Sequence, residues 1–160
     1  MERTCVIVKP DGIGKKVVGK IFERFEREGL KIAGLKMVRP ARTHLENFYG
    51  MHKGKPFLEP YLDFLSCSPI IASVWEGRDA VKRVREIIGA TDSRKAASGT
   101  LRATYGTDGT KNLVHASDSA ANAEREIRFF FADSEVLDYD EAVWQMYLSS
   151  EEVLKKKIRE

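Results

Sequence analysis

The chain is poor in cysteine, with two in 160 residues, and Cys5 and Cys67 lack the paired spacing of a metal site or a disulfide framework. Both read as reduced thiols used for packing, Cys5 inside an apolar run and Cys67 beside a turn. Long hydrophobic runs are missing too. The first, Cys5 to Val8, stops at Lys9, Pro10 and Asp11 and is far too short for a signal or membrane segment, so a cytoplasmic location without a membrane partner is expected. Neither sign of charge dominates: 27 basic residues face 24 acidic ones, a net charge of +3. That balance argues against the broad footprint of a nucleic-acid binder and makes any anion binding local. Internal repeats and low-complexity linkers are absent. So are the GxxxxGK[ST] loop and the glycine loop of protein kinases, which sets aside two common ways of gripping phosphates.

What is present fits one domain that buries roughly 70% of its unfolded surface. Arg3 to Val8 is a short β-rich run ended by Pro10 and Gly12, which predicts a buried strand with Lys9 at its end. From about Gly14 to Glu28, Val17, Val18, Ile21, Phe22 and Phe25 recur at helical spacing against charged neighbours, and Gly29 closes that helix. A second strand is expected over Lys31 to Val38, stopped by Pro40. Thr43 and Glu46 form a capping-box pattern ahead of a helix through Tyr49, and a shorter helix follows from Phe57 to Phe64. Pro69 to Trp75 predicts a third strand and Asp79 to Ile88 another amphipathic helix. Gly89 to Asn112 has little periodicity, and a stretch that long inside a compact domain is usually functional or disordered. Asn112 to Ala116 then predicts a fourth strand, and Ser117, Asp118 or Ser119 a cap for a helix to about Phe131.

Strands alternating with helices indicate an α/β sandwich of helices on a small sheet, without fixing strand direction. Ser149 and Glu152 form a second capping box ahead of Val153, Leu154 and Ile158. Lys155, Lys156 and Lys157 fall near that helix's end, where positive charge suits the macrodipole better than it suggests RNA binding. An RNA-binding sandwich would also need exposed sheet aromatics within a basic face.

Among the three histidines, His115 stands at the end of an apolar run just before a helix start, where a neutral imidazole could attack phosphorus and release it again. Taken alone it reads more readily as a hydrogen-bonded structural histidine at a strand end. His44, in a helix start, and His52, in a polar turn, read as solvated. Lys9, Arg85 and Arg102 could stabilise phosphoryl transfer if the fold brings them together, which spacing cannot establish.

The segments ERTCVIVKPDG, FYGMHKGKPF, WEG at 75 to 77, GATDS at 89 to 93, GTLRATYG at 99 to 106 and NLVHASDS together resemble nucleoside diphosphate kinases, collinearly over about residues 2 to 131. The resemblance implies an α+β, ferredoxin-like βαββαβ sandwich with a four-stranded antiparallel sheet, a domain over 1–138 and a C-terminal extension over 139–160. It also implies an enzyme that passes the γ-phosphate of a nucleoside triphosphate, mainly ATP, to a diphosphate such as GDP through a phosphohistidine, maintaining NTP and dNTP pools. By the same resemblance His115 is the nucleophile, and Lys9 and Arg102 meet phosphate and transition-state charge. Arg85 and Thr91 grip the β-phosphate region, and Tyr49 lies beside the histidine. Asn112 reads the sugar hydroxyls with Lys9, and Phe57 stacks on the base near Tyr61. Ser117 and Glu126 orient the imidazole.

Mg²⁺ is implied as a largely hydrated bridge between phosphates, met through water by Asp118 and without a direct protein ligand. The family further implies a homo-oligomer, either a hexamer or a tetramer of dimers. Three positions depart from the usual pattern: Ala116 replaces a common glycine, Tyr61 a common leucine, and the loop from Thr91 to Thr100 lacks proline. A silent nucleotide-binding module is the competing reading, disfavoured because such a module has no chemical need for the whole residue set.

Overall fold

The computed structural model describes residues 1–152 and 155. Strand β1 (Glu2–Val8) pairs antiparallel with β3 (Ile70–Gly77) on one side and β4 (Val114–Ala116) on the other, while β2 (Lys31–Val38) pairs antiparallel with β3. The order β2-β3-β1-β4 is that of the ferredoxin-like sandwich. β1 is a near-continuous apolar run because it is central and covered on both faces. Val6 and Val8 turn toward α2 (Val18–Arg27) and α5 (Ala80–Ile88), where Ile21, Phe25, Trp75, Val84 and Ile88 are buried. Cys5 and Ile7 turn to the opposite face, against Leu45, Phe48 and Leu62 from α3 (Arg42–Phe48) and α4 (Leu58–Ser66) and Phe130 from α7 (Ala120–Phe130). In the first core Phe22 and Phe25 meet the Trp75 ring edge to face, with centroids 5.3 and 4.9 Å away.

Register places the site. His115 lies opposite Ile7 in the β1–β4 ladder, so its side chain shares the α3, α4 and α7 face, and a slip of one residue would move it to the other.

The structure corrects several expectations. The helix expected from Gly14 to Glu28 begins only at Val18 (α2), and the turn expected at Pro10 and Gly12 is itself a short helix, α1 (Pro10–Gly14). Between them Lys16 takes φ +59, while Lys16 N–H donates to the Ile13 carbonyl and Val17 N–H to that of Gly12. This is a Schellman ending with lysine where glycine is usual, so the stop carries no glycine signal. The Thr43–Glu46 box does not form: Ala41 stands at the N-cap, and Glu46 pairs with Arg42 one turn earlier. Cys67 is exposed rather than packed, whereas Cys5 is fully buried. The fourth strand begins at Val114 because Leu113 has φ +75 and cannot continue a strand.

The long segment after Gly89 contains a 3₁₀ turn (Ser93–Lys95) and α6 (Leu101–Tyr105). Farther along, Leu137 N–H donates to the Ala33 carbonyl over 2.8 Å, Tyr139 Oη donates to Ile32, and Lys31 Nζ reaches the Tyr139 carbonyl. These bonds fasten the C-terminal segment to the β2 irregularity at Ile32/Gly34, where carbonyls are released from the ladder. The Ser149–Glu152 capping box is formed in both directions, while Val153, Leu154, Lys156, Lys157 and Ile158 lie outside the described residues.

Ser119 caps α7, its Oγ accepting the Asn122 N–H at 3.2 Å. Ser119→Ala is expected to lower stability by about 1 kcal/mol, and Ser119→Gly by only a few tenths. Urea unfolding midpoints checks this; equal losses for the two variants would mean that the hydroxyl cap contributes nothing.

Candidate active site

A cavity of about 670 Å³ opens between β4, α4, α7 and the 89–112 segment, within the range of small-molecule sites. His115, Lys9, Tyr49, Phe57, Tyr61, Arg85, Thr91, Arg102, Asn112, Asp118 and Glu126 all line it, so the dispersed sequence positions converge. Ser117 alone of the expected set does not. It is fully buried and acts from beneath: its Oγ donates to Glu126 Oε2 at 2.6 Å and accepts the Cys5 N–H at 3.2 Å. Glu126 is thereby held with its other oxygen, Oε1, 3.0 Å from His115 Nε2. That contact is close in distance but out of line for a hydrogen bond, and Nε2 is buried without another protein partner. The imidazole is walled by Phe48 and Tyr49, whose rings meet it edge to face at 5.5 and 6.1 Å.

Two cations are buried in the wall. Lys9, at the end of β1, is 2% exposed and donates from Nζ to the Thr110 carbonyl at 2.5 Å and to Asn112 Oδ1. Burial pulls its pKa down to about 8; Asp11 opposes the shift and Arg102 adds to it. Its ammonium also lies 5.3 Å from the Tyr61 ring centre. Arg102, on α6, donates to the carbonyls of Asn112, Gly89 and Val114 at 3.1, 3.0 and 2.7 Å. Burial, then the charge of Arg85, lowers its pKa to about 10, so it stays charged at neutral pH. Neither cation forms an ion pair among the described residues.

Asn112 joins the parts: besides accepting from Lys9, its Nδ2 donates to the Thr91 and Gly109 carbonyls. Tyr49 and Tyr61 face one another with hydroxyls 3.5 Å apart, and burial raises both pKa values, so the phenols remain donors. Phe57 stands at the mouth with 52% of its surface exposed, which frees its face for a planar partner. Asp118 is exposed on the rim and accepts from Asn122 Nδ2. That bond is the chief cause of a pKa below the usual carboxylate range.

Reading the residues by type missed Phe48, His52 and Arg125. His52, expected in solvent, lines the cavity and packs edge to face on Phe57 at 5.4 Å. Arg125 lies over the Phe48 ring and 3.7 Å from Glu126 Oε1. The available signal was its place three residues beyond Asn122 and next to Glu126 on one helix.

The family model described as "Nucleoside diphosphate kinase" matches residues 2–136. The chain belongs to the nucleoside diphosphate kinase family. It is similar to the nucleoside diphosphate kinase of Pelotomaculum thermopropionicum, 52% identical over 87% of this chain and 93% of that one. Among solved structures, that of the Aquifex aeolicus nucleoside diphosphate kinase is 48% identical with a TM-score of 0.82, covering 85% of this chain and 99% of that one. The halophilic enzyme from Halobacterium salinarum, solved in complex with CDP, is 43% identical with a TM-score of 0.86 over 92% and 99% of the two chains. The chain is accordingly a phosphotransferase that moves the terminal phosphate of a nucleoside triphosphate to a nucleoside diphosphate.

Its departures from the usual nucleoside diphosphate kinase pattern have structural answers. Ala116 pairs with Val6 in the β1–β4 ladder and has no positive φ, so no glycine is needed there. Tyr61 exchanges a leucine's bulk for a ring under the Lys9 ammonium. In the proline-free loop Asp92 accepts from the Arg94 backbone and guanidinium, and Thr100 caps α6, so polar side chains hold the turns.

With its pKa pulled down to about 8, Lys9 is expected to lose its charge as pH rises through the mildly alkaline range, about pH 8.5. Nucleotide phosphates placed beside Lys9 would favour its charged form, so binding is then expected to take up protons there and to take up none through this group near pH 6.5. Calorimetry in buffers of different ionisation enthalpy measures it; a buffer-independent binding heat at the higher pH rules the effect out.

Proposed function

We propose that the phosphotransfer runs through a phosphate carried on Nδ1 of His115. What supports this reading is the Ser117–Glu126–His115 line: Nε2 is buried beside a carboxylate while His115 lines the cavity, which leaves Nδ1 as the nitrogen to react. The Nδ1 lone pair attacks the γ-phosphorus, the bond from phosphorus to the β–γ bridging oxygen breaks, and the first diphosphate departs with that electron pair. A second diphosphate then attacks the phosphohistidine through a terminal oxygen of its β-phosphate, restoring the imidazole. Glu126 offsets the charge on the ring while Nδ1 is substituted.

Lys9 and Arg102 face the transferring phosphate and its transition-state charge, and Arg85 and Thr91 take the β-phosphate region. Tyr49 donates its hydroxyl beside the histidine. Asn112 and Lys9 read the sugar, while Phe57, flanked by Tyr61 and His52, offers a face to the base. Stacking on a ring face is base-tolerant, since every base has a π surface.

Mg²⁺ is part of the proposal. Among the described residues no group of three or more His, Cys, Asp or Glu could hold a metal, while Asp118 is ionised on the rim of the phosphate-facing wall. This donor set fits a hydrated ion carried by the nucleotide, with Asp118 meeting it through water. When bound, the ion neutralises phosphate charge.

We also propose a homo-oligomer, hexameric or tetrameric. It is supported by Leu35 and Met37, 50% and 59% exposed on the edge strand β2, and by exposed Trp144, Met146 and Tyr147. Residues 139–160 are then an extension to a 1–138 domain, and the first of them, Tyr139, is bonded to β2. The free thiols Cys5 and Cys67 agree with a cytoplasmic location.

Brief exposure to γ-labelled ATP with Mg²⁺ is expected to leave an acid-labile label that unlabelled GDP removes and that is lost in His115→Ala. Absence of a transferable label would defeat the covalent route. For Phe57→Ala, affinity is expected to fall by about tenfold for every base alike, the scale of one lost stacking contact. Equilibrium binding of adenine, guanine and cytosine diphosphates checks it, and a loss confined to one base would contradict the platform role.

A further inference from the structure

Asp11 stands on α1, two residues beyond Lys9, and does not line the cavity. Its Oδ2 accepts the Leu113 N–H at 2.9 Å. The reciprocal bond runs beside it, Lys9 N–H to the Leu113 carbonyl at 2.8 Å. Leu113 is thus fixed from both its amide and its carbonyl, at φ +75. A side chain rarely adopts this backbone region unless its surroundings over-determine it. Two residues later comes His115.

The second oxygen, Oδ1, is buried and has no hydrogen-bond partner. A buried carboxylate oxygen of that kind is costly unless positive charge is close by. The charge of Asp11 is felt by Lys9, Arg102 and Tyr61 together. The other groups acting on Lys9 are Arg102, which opposes its charge, and Asp108, which favours it; the neutral Tyr61 ring lies beside it. Asp108 is otherwise engaged, accepting the Thr110 and Lys111 amides and pairing with the Lys111 ammonium at 3.4 Å.

We propose that Asp11 is a positioning residue for phosphoryl transfer: one oxygen clamps the Leu113 backbone that leads to His115, and the other supplies the buried negative charge that Lys9 and Arg102 share. The inference rests on the reading of Lys9 as a phosphate-facing cation. It adds a residue that never touches substrate, and its two actions are chemically separable. Asparagine keeps an oxygen for the Leu113 amide and removes the charge; alanine removes both.

The test is the pH dependence of kcat/KM for wild type, Asp11→Asn and Asp11→Ala. It is paired with an NMR titration of the Lys9 side chain in ¹³C-lysine-labelled protein without nucleotide. In Asp11→Asn, kcat at neutral pH is expected to stay within about threefold of wild type. Its alkaline limb and the Lys9 titration should both move down by about 0.5–1 pH unit, the modest end of the effect of a nearby opposite charge. Asp11→Ala should show the same movement and, in addition, lose about tenfold or more in kcat, as expected when a reacting group is misplaced.

A Lys9 titration in Asp11→Asn at the wild-type pH overturns the charge role. Equal kcat in the two variants overturns the clamp. If Asp11→Ala does not fold, rapid hydrogen exchange at the Leu113 amide of wild type overturns the clamp instead, and slow exchange in both wild type and Asp11→Asn supports it. A wild type without turnover would count against the phosphotransfer reading, whereas the Lys9 titration would still decide the charge role of Asp11.

Discussion

The costliest arrangement in this fold is the burial of two cations, Lys9 and Arg102, in one cavity wall without an ion-paired carboxylate. A buried charge must find hydrogen bonds or compensating charge nearby, or lose its ionisation. Here the answer is mostly main chain. Carbonyls of Gly89, Thr110, Asn112 and Val114 take the donors of the two side chains, which requires the 89–112 segment to come back over the end of β1 in one shape. Its 3₁₀ turn, α6 and the Asn112 amide bonds follow from that requirement. The backbone partners of both cations are thus already arranged in the folded chain.

His115 depends on a different part of the same architecture. β1 is central, so Cys5 lies beneath the site and its main chain anchors Ser117 from two directions, amide to hydroxyl and carbonyl to amide. Ser117 in turn fixes Glu126, and Glu126 faces the imidazole. Sheet register, a buried hydroxyl and helix α7 together bring the Glu126 carboxylate to His115 Nε2. The chain therefore separates its tasks spatially: cations arrive from β1 and the long segment, orientation from β4 and α7.

Much of this was readable from residue patterns where the signal is local. The β2 boundaries follow from Pro40 and the apolar run, and the Ser119 cap and Ser149–Glu152 box follow from short-range hydrogen bonding. Signals failed where a tertiary demand replaced the usual residue. Lys16 ends α1 in a glycine conformation, and Leu113 breaks β4 in a region where leucine is rare. Thr43 and Glu46 matched a capping box, but Arg42 claimed the glutamate. The site residues came from resemblance rather than from spacing, because Lys9, Arg85, Arg102 and Glu126 are distant in sequence and meet only through the fold. Asp11 and Arg125 escaped because one lies behind the wall, bonded to the Leu113 amide, and the other looks like any surface arginine on an amphipathic helix.

The turn around Asp92 and the cap at Thr100 bear on how this molecule answers its surroundings. Proline stiffens a loop by removing freedom from the unfolded chain, an effect indifferent to ions. The stiffness here resides in a charged contact between Asp92 and Arg94 and in hydroxyl and carboxylate hydrogen bonds of the folded state. Screening by dissolved salt weakens exposed charge contacts of that kind. That contact, in the segment leading to Arg102, is therefore weakened by salt in a way that a proline in the same turn would not be.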